Sequence, residues 1–379
     1  MPSPISAVRA FQLTDAGGHP LPSPVPIDLA ADTIPYGAKV RFEVEAAAGQ
    51  QLRPMRAWLQ PEETATFFLF PSADGRTLTG EVRLPWGLMY GGGELTGLNA
   101  PPRFPREGVP PFGEGEYHFK LFFRTLGGEV EEYDLRFSLG APPMAGGSPP
   151  SIVSVSTGLT DNQVRLGQPW LLTAQVADPD DDVLVVIFSV MQGDFAQWWF
   201  MVDDGSQGDA KAGDGIYSFL RVGGDPWERP YLAGGADVSA TLTVQAGDVR
   251  GNWSEPVVLD YQILTSQEPL WMEEPTPGAP DILEGSVDHA TGPLGRARVA
   301  ARSRTPEAWV CGRLVGEAGQ TFPLFDDGKG LDAAAGDGIF TATPGIHSRR
   351  DYDIVLYGVP KSGPLGLGEK LAVHWTQAE

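Results

Sequence analysis

Residues 40–45 read Val-Arg-Phe-Glu-Val-Glu, with apolar side chains at Val40, Phe42 and Val44 and charged side chains between them. Successive side chains of a β-strand point to opposite faces, so a period of two puts one face in a core and the other in water. Similar alternating or continuous apolar runs recur along the chain at 117–123, 133–139, 172–176, 183–188, 242–246, 297–299, 352–357 and 371–375. No segment shows the sustained helical period that parallel βαβ units require. The sequence therefore predicts an all-β chain of antiparallel β-sandwiches.

Two stretches rich in proline and glycine, 140–150 and 273–280, divide the chain. Proline stiffens such segments, so we expect semi-rigid spacers between domains. A chain of 379 residues suggests about two to four domains, at roughly 100–200 residues each. We predict three tandem immunoglobulin-like domains, at residues 1–140, 151–268 and 281–379, and call them units one, two and three.

The strongest local motif occurs twice. Residues 203–217 read Asp-Asp-Gly-Ser-Gln-Gly-Asp-Ala-Lys-Ala-Gly-Asp-Gly-Ile-Tyr, and residues 326–340 read Asp-Asp-Gly-Lys-Gly-Leu-Asp-Ala-Ala-Ala-Gly-Asp-Gly-Ile-Phe. The two segments, which we call the Asp-Gly loops, align without a gap. The same register, continued upstream, pairs core-type positions: Val176 with Val299 and Phe188 with Cys311. Units two and three are therefore predicted to be internal repeats of one domain.

The Asp-Gly loop resembles the D-D-G-(x)-D-(x)-A-G-D-G-(I/V)-(Y/F) loop of bacterial immunoglobulin-like modules, which occur in tandem in large secreted, surface and assembly proteins. Unit two carries two further features of that style, Ala-Asp-Pro-Asp-Asp-Asp at 177–182 and Ala-Gly-Asp-Val-Arg-Gly-Asn-Trp-Ser at 246–254. Unit one has only Ser-Ala-Asp-Gly-Arg at 72–76, and its assignment depends on alternation alone. The resemblance implies the fold much more firmly than an activity.

Three aspartates of each Asp-Gly loop are candidate Ca²⁺ ligands. They are Asp204, Asp209 and Asp214 in unit two and Asp327, Asp332 and Asp337 in unit three. Carboxylate oxygens are the hard ligands that Ca²⁺ prefers, and the glycines permit tight turns, although the spacing is not that of an EF-hand. In the alternative interpretation the carboxylates accept backbone N–H bonds in Asx-turns and no metal is needed.

The formal net charge of −22 disfavours nucleic acid and anionic lipid as partners, because both are recognised through clusters of Lys and Arg. A basic protein surface is a better match. The same charge also serves simply to keep an exposed protein soluble and unassociated.

The chain lacks the sequence patterns of the common active sites. Its five histidines are scattered without metal-ligand spacing, and no G-x-S-x-G, P-loop or dinucleotide-binding motif occurs. The single cysteine, Cys311, excludes an intrachain disulfide and lies in the apolar run Ala308–Cys311, where a buried structural thiol is expected. The sequence therefore predicts a protein that is not an enzyme.

Two segments are predicted to contact a partner. The irregular segment Pro85–Gly115 of unit one carries Trp86, Met89, Tyr90 and Phe104 between glycines and prolines. A loop of this length is usually functional or mobile, and the alternative is an insertion without a function. Between units two and three, directly before the second spacer, Trp271 and Met272 must be covered either by a neighbouring domain or by a partner.

The start, Met-Pro-Ser-Pro-Ile, has no basic region followed by an apolar one, and no apolar run approaches the ~18 residues of a membrane span. These features predict a cytoplasmic or membrane-extrinsic chain. We predict a non-catalytic structural subunit that docks on and stabilises a larger protein assembly, such as an extrinsic subunit of a membrane complex or a virion component. The alternative is an extracellular carbohydrate- or surface-binding adhesion module whose leader has been removed.

Overall fold

The structure is a computed structural model. It describes these residues: 5–48, 55–60, 66–71, 76–84, 114–124, 130–143, 146–192, 195–224, 236–288, 298–315, 321–329, 332–342, 344 and 351–375. Within them the chain forms twenty-four β-strands and two 3₁₀ turns, Thr160–Asn162 and Leu270–Met272. The predicted all-β class is confirmed. The described residues include no helix that is long and apolar enough to cross a membrane.

The strands of the first part of the chain are β1 (Ile5–Thr14), β2 (Pro20–Ile27), β3 (Thr33–Ile34), β4 (Lys39–Ala46), β5 (Met55–Gln60), β6 (Thr66–Pro71), β7 (Thr77–Arg83), β8 (Gly115–Arg124) and β9 (Val130–Leu139). Those of the second are β10 (Ser151–Ser156), β11 (Gln163–Arg165), β12 (Pro169–Ala177), β13 (Val183–Gln192), β14 (Phe195–Met201), β15 (Ile216–Val222), β16 (Val238–Asp248) and β17 (Val257–Leu264). Those of the third are β18 (Ile282–Asp288), β19 (Arg298–Ser303), β20 (Ala308–Val315), β21 (Thr321–Leu324), β22 (Ile339–Ala342), β23 (Tyr352–Pro360) and β24 (Leu371–Trp375).

Strands β1–β9 form one nine-stranded sheet in the order β2-β1-β4-β7-β6-β5-β8-β9-β3. Because β6 pairs with both β5 and β7, the two halves of the sheet are continuous. The inward side chains of β4 and of β9 lie in the same buried cluster, so the halves pack face to face. Leu184 and Val249 of unit two also belong to this cluster. The core of unit one therefore extends across its junction with unit two.

The second and third parts of the chain each contain two sheets with matching strand orders. In the second, β10-β12-β15 packs on β11-β17-β16-β13-β14, and in the third, β18-β19-β22 packs on β21-β20-β23-β24. Each pair of sheets encloses a hydrophobic cluster of its own. Pairing is antiparallel throughout the described strands except for two short parallel pairs, β3 with β9 and β11 with β17.

The loop register does not continue upstream in the way the sequence predicts. Val176 donates its N–H to the carbonyl of Gly215, and Ser303 donates to the equivalent Gly338, so Val176 corresponds to Ser303 and not to Val299. The connections between these strands differ in length in the two units, which changes the register of each strand separately.

The predicted match of Phe188 with Cys311 is wrong for the same reason. Phe188 lies in the core between the two sheets of unit two. Cys311 is fully buried, as expected, but on the opposite face of its sheet, where it packs with Trp271 and Tyr357. Burial raises the pKa of its thiol, since a thiolate is poorly solvated there.

Arg83, at the end of β7, joins unit one to unit two. Its guanidinium donates to the carbonyl oxygens of Gly37 (Nε, 2.8 Å) and Gly17 (Nη2, 3.2 Å) and to that of Val183 in unit two (Nη1, 2.8 Å). Burial lowers the pKa of Arg83, and the carbonyl dipoles replace water around its charge. Loss of this side chain would leave buried carbonyl groups of both units without a donor.

Trp271 joins unit two to unit three. Its side chain is only 8% exposed and packs against the backbone of Gly167, where an added Cβ would lie 2.4 Å from the ring. The guanidinium carbon of Arg313, in unit three, stands 4.1 Å from the centroid of the Trp271 ring. Tyr357 of unit three donates its hydroxyl to the carbonyl of Gly167 (3.0 Å).

An ion pair on the surface also spans the first junction. The His19 ring lies between Asp15 of its own turn (Nδ1–Oδ2 3.2 Å) and Asp181 of unit two (Nε2–Oδ2 2.7 Å). The hydrogen bond to Asp181, followed by that to Asp15, raises the pKa of His19. Arg83 also contacts this turn, through a hydrogen bond to the carbonyl of Gly17 and by packing against Gly18, and it interacts with the charge of Asp15.

We predict that the His19 bridge makes the first junction sensitive to pH. Because the folded-state pKa is raised, its stabilisation is fully present below the unfolded pKa of about 6.5 and disappears as the pH rises through the folded value. The melting temperature of the wild type, minus that of His19→Asn, should therefore be largest in mild acid and decline above neutrality. Calorimetry across this range measures the difference, and a constant difference would contradict the prediction. Asp353→Asn, which removes the carboxylate beside His374 within unit three, controls for histidine–aspartate pairs outside the junction.

Candidate metal centres in the repeated loops

The carboxylate of Asp203 organises the Asp-Gly loop of unit two. Its Oδ1 accepts the backbone N–H groups of Gly213 (2.7 Å) and Asp214 (3.2 Å), and its Oδ2 accepts that of Gly215 (2.9 Å). Gly213 and Gly215 have φ values of 73° and 78°, a left-handed conformation that glycine adopts without strain. One side chain thus closes a turn ten residues further along the chain.

The loop of unit three repeats this arrangement. Asp326 accepts the N–H groups of Gly336 (2.6 Å), Asp337 (3.2 Å) and Gly338 (2.9 Å). Its glycines at 336 and 338 have φ values of 75° and 79°. The described parts of the two loops therefore share one turn geometry, with the same backbone hydrogen bonds and coincident left-handed glycines.

Three carboxylates converge in each loop. In unit two they are Asp203, Asp209 and Asp214, and in unit three Asp326, Asp332 and Asp337, with ligand oxygens that all lie within 4.8 Å of one another. Asp209 and Asp332 are buried, and they accept the N–H groups of Gly205 (2.7 Å) and Gly328 (2.6 Å). Asp214 and Asp337 are exposed.

The sequence-based ligand sets are therefore corrected at one position in each loop. Asp203 and Asp326 belong to the clusters, and the predicted Asp204 and Asp327 do not. Both members of an Asp-Asp doublet are possible ligands by spacing. Consecutive side chains of an extended segment point in opposite directions, so only one of them turns into the loop.

Asp204 and Asp327 instead connect the two loops. Asp204 forms an ion pair with Lys329 of the other loop (Nζ–Oδ2 2.7 Å), and Lys329 also donates to the Asp204 carbonyl (2.8 Å). Asp327 accepts the backbone N–H of Lys329 (3.0 Å), and burial raises its pKa against the effect of the Lys329 and Gln207 backbone groups. The Asp-Gly loops of units two and three thus touch each other beside the second junction.

The pKa values reflect these two roles. Burial raises the pKa of Asp203 against the effect of its three backbone donors, and it also raises that of Asp332, where Asp326 and Asp337 add repulsion. At Asp204 burial again favours the neutral form, but Lys329 and Ser206 outweigh it and the pKa is lowered. The clusters therefore carry crowded negative charge, whereas the contact between the loops is neutralised.

Each cluster can hold a hard cation, because three carboxylates offer oxygen ligands around one point. Each loop is also closed by backbone donors alone, as Asx-turns require. The geometry supports both interpretations of the aspartates that the sequence left open.

The predicted partner anchors fall into two groups. Trp86, Met89, Tyr90 and Phe104 lie outside the described residues. The sequence left open whether a neighbouring domain or a partner covers Trp271. Units two and three together cover it, so this side chain is not an exposed anchor. Met272 is 57% exposed, and its role as a partner contact stays a prediction.

No family model matches the chain, and no curated protein matches it in sequence. Among solved structures, the fibronectin(III)-like modules of CbhA from Clostridium thermocellum are 10% identical, with 62% of this chain and 90% of that chain covered and a TM-score of 0.19. A Ca²⁺-stabilised adhesin with which an Antarctic bacterium binds ice is 11% identical, with 97% and 81% covered and a TM-score of 0.17. Domains 5–6 of the S-layer protein SbsC are 12% identical, with 69% and 99% covered and a TM-score of 0.17. At TM-scores of this size the similarities carry no argument about site or function.

We predict that Asp203 contributes more to stability than the exposed Asp214. Asp203→Ala removes the acceptor of three backbone N–H groups, whereas Asp214→Ala removes that of one, Ile216. At about 1 kcal/mol net for each bond, Asp203→Ala should lower the free energy of unfolding by about 2–3 kcal/mol and Asp214→Ala by about 1 kcal/mol or less.

Denaturant unfolding in EDTA measures both values without a contribution from metal. Asp326→Ala is the matched variant of unit three and should show a loss similar to that of Asp203→Ala. Equal losses for Asp203→Ala and Asp214→Ala would contradict the organising role of Asp203.

Proposed function

We propose that the chain is a non-catalytic structural subunit, which docks on a larger protein assembly and stabilises it. The observation that carries the proposal is the pair of junctions, at Arg83 and at Trp271. Flexible linkers let domains move independently, whereas these junctions bury side chains of one unit in contacts with the next. A stiff body of linked sandwiches suits a brace or spacer.

The second junction is reinforced along its rim. Arg165 of unit two pairs with Glu273 of the spacer (Nη1–Oε1 2.7 Å), and Lys370 of unit three donates to the carbonyl oxygens of Trp271 (3.2 Å) and Glu273 (2.9 Å). The spacer is thus bonded on both sides. These contacts support a fixed angle between the units, which a load-bearing subunit requires.

The partner that fits this chain is a basic protein surface. A net charge of −22 accelerates association with a positively charged partner and opposes binding to nucleic acid. Recognition is assigned to the segment Pro85–Gly115, because its aromatic side chains have no counterpart in the repeated units. A few such anchors commonly dominate the affinity of an interface.

Ca²⁺ is the cofactor that the proposal assigns to the Asp-Gly loops. The three carboxylates of each cluster provide hard oxygen ligands. Ca²⁺ takes about six to eight oxygen ligands, and water or carbonyl groups would supply the others. Burial raises the pKa of Asp203 and of Asp332, neighbouring carboxylates add repulsion at each, and a cation at the same place would relieve that repulsion.

We predict that Ca²⁺ raises the melting temperature and that Asp209→Asn and Asp332→Asn each remove the response of their own loop. A ligand at about 100 times its Kd stabilises a folded protein by about 2.7 kcal/mol for each site. Asparagine keeps an oxygen for the N–H of Gly205 or Gly328 but lacks the charge. Scanning calorimetry in EDTA and in excess CaCl₂ measures the effect, with Asp288→Asn as an exposed control. If Ca²⁺ does not change the melting temperature of the wild type, the calcium proposal is contradicted and the aspartates act only as acceptors in Asx-turns.

We predict that the chain migrates in native extracts with a particle much larger than its own 40.6 kDa. Trp86→Ala with Tyr90→Ala should reduce that incorporation at least tenfold and leave the melting temperature unchanged, because the anchors are assigned to the partner surface. Gradient sedimentation with quantitative blotting measures the incorporation of the wild type and of the double variant. Val258→Ser, at an exposed strand position, is the control. Normal incorporation of the double variant would place the interface elsewhere, and a wild-type chain that sediments alone would contradict the scaffolding function.

A second candidate function is carbohydrate or surface binding. One feature favours it, a groove of mixed polar and apolar lining on the exposed face of the five-stranded sheet near Met191.

A further inference from the structure

The groove crosses the outer face of the sheet β11-β17-β16-β13-β14, and its volume is about 480 Å³. Side chains of Asp161, Asn162, Met191, Ser239, Thr241, Asp260 and Gln262 line it, together with the chain at Ala240 and Tyr261. It is separate from the Asp-Gly loops and from both junctions.

Strand register places its groups in two rows. Met191 pairs with Thr241, which pairs with Asp260 on its other side, so these three side chains form one row across β13, β16 and β17. Ser239 and Gln262 pair in the neighbouring row. Alternation fixes the orientation, because Tyr261 and Ile263 between these positions are buried in the core.

Hydrogen bonds within the groove hold its polar groups in place. Thr241 donates its hydroxyl to Asp260 (2.8 Å). The side-chain NH₂ group of Gln163 donates to the side-chain oxygen Oε1 of Gln262 (3.2 Å). The NH₂ group of Gln262 then remains as a donor. Such prior ordering lowers the entropic cost of binding a ligand.

The rim of the groove is formed by an unusual turn. Asp161 and Asn162 are consecutive non-glycine residues with φ values of 54° and 53°. Thr157 donates its hydroxyl to the side-chain oxygen of Asn162 (3.3 Å) and so supports this conformation. Asp and Asn adopt this left-handed conformation more readily than other non-glycine residues, and the turn places both at the rim of the groove.

The groove does not suit a metal ion. Among the described residues, groups of three metal-ligating side chains converge only in the two Asp-Gly loops. Asp161 and Asp260 are instead interleaved with hydroxyl and amide groups, which both donate and accept hydrogen bonds. Beside them Met191 presents an apolar thioether that is 49% exposed.

We propose that this groove binds a neutral oligosaccharide. Sugar hydroxyls would donate to the carboxylates of Asp161 and Asp260 and accept from the amide of Gln262, while an apolar C–H face would lie on Met191. The inference deepens the second candidate function and is independent of the scaffolding proposal.

The seven methionines of the chain allow a local test. In protein labelled with ¹³C at the methionine methyl groups, Met191→Leu identifies the Met191 signal, and Met272, 57% exposed directly before the second spacer, is an internal control. Titration with cellohexaose, xylohexaose and maltohexaose in EDTA should give a saturable shift of Met191 with at least one sugar and none of Met272. Asp260→Ala and Gln262→Ala should each weaken binding about tenfold, the loss of roughly one charged or well-ordered hydrogen bond. Asp353→Ala, an exposed carboxylate on β23 of unit three, should bind as the wild type does.

Four results would overturn the proposal. They are no saturable shift with any of the three sugars, equal shifts of Met191 and Met272, unchanged affinity in both groove variants with a wild-type melting temperature, or a response of Met191 to spermidine but to no sugar. If the chain co-sediments with insoluble cellulose while Met191 is unaffected, carbohydrate binding stands as a function but the groove assignment fails. Normal incorporation of the groove variants into a large particle is expected, because the scaffolding surface lies elsewhere.

Discussion

The carboxylate of Asp203, and its equivalent Asp326, is the constraint on which the rest of the repeated architecture depends. A segment with several left-handed glycines has high conformational entropy when unfolded and makes few backbone bonds of its own. One aspartate that accepts three N–H groups fixes its path. The fixed path then carries Asp209 and Asp214 to the same point as Asp203. It also turns Asp204 outward to the other loop.

The two junctions each hold one unit against the next, but they do so with different kinds of contact. At the first, Arg83 brings a charge into a partly buried contact, and carbonyl oxygens from both units accept its hydrogen bonds. At the second, Trp271 supplies apolar area, and Arg313 covers the face of its ring. Removing one partner of a buried polar contact leaves the other unsatisfied, whereas trimming an aromatic ring leaves a cavity. Both devices make a change of angle between the units costly.

Local chemistry explains what the sequence could predict. Alternation at Val40, Phe42 and Val44 depends only on the pleat of a strand, and the structure places all three in the core. The choice between Asp203 and Asp204 depends on which of two adjacent side chains faces the loop, and spacing does not contain that information. Cys311 was misplaced because a change of connection length between strands moves a residue to the other face of its sheet. The groove was not predicted, since its residues come from four separate segments that only the sheet brings together.

The Asp-Gly loop of unit two is in direct contact with unit three beside the second junction. Asp203 and Asp204 are adjacent in the chain, and the first closes the loop while the second holds Lys329 of the neighbouring unit. A ligand that orders the loop around Asp203 would therefore also restrict Asp204. If this strengthens the Asp204–Lys329 contact, that contact must strengthen the binding of the ligand by the same free energy. Protonation of the clustered aspartates also removes the repulsion between them. Unlike a bound cation, however, a proton does not bridge the carboxylates. The contact between the two Asp-Gly loops is in this way connected to the ionic state of the carboxylate clusters.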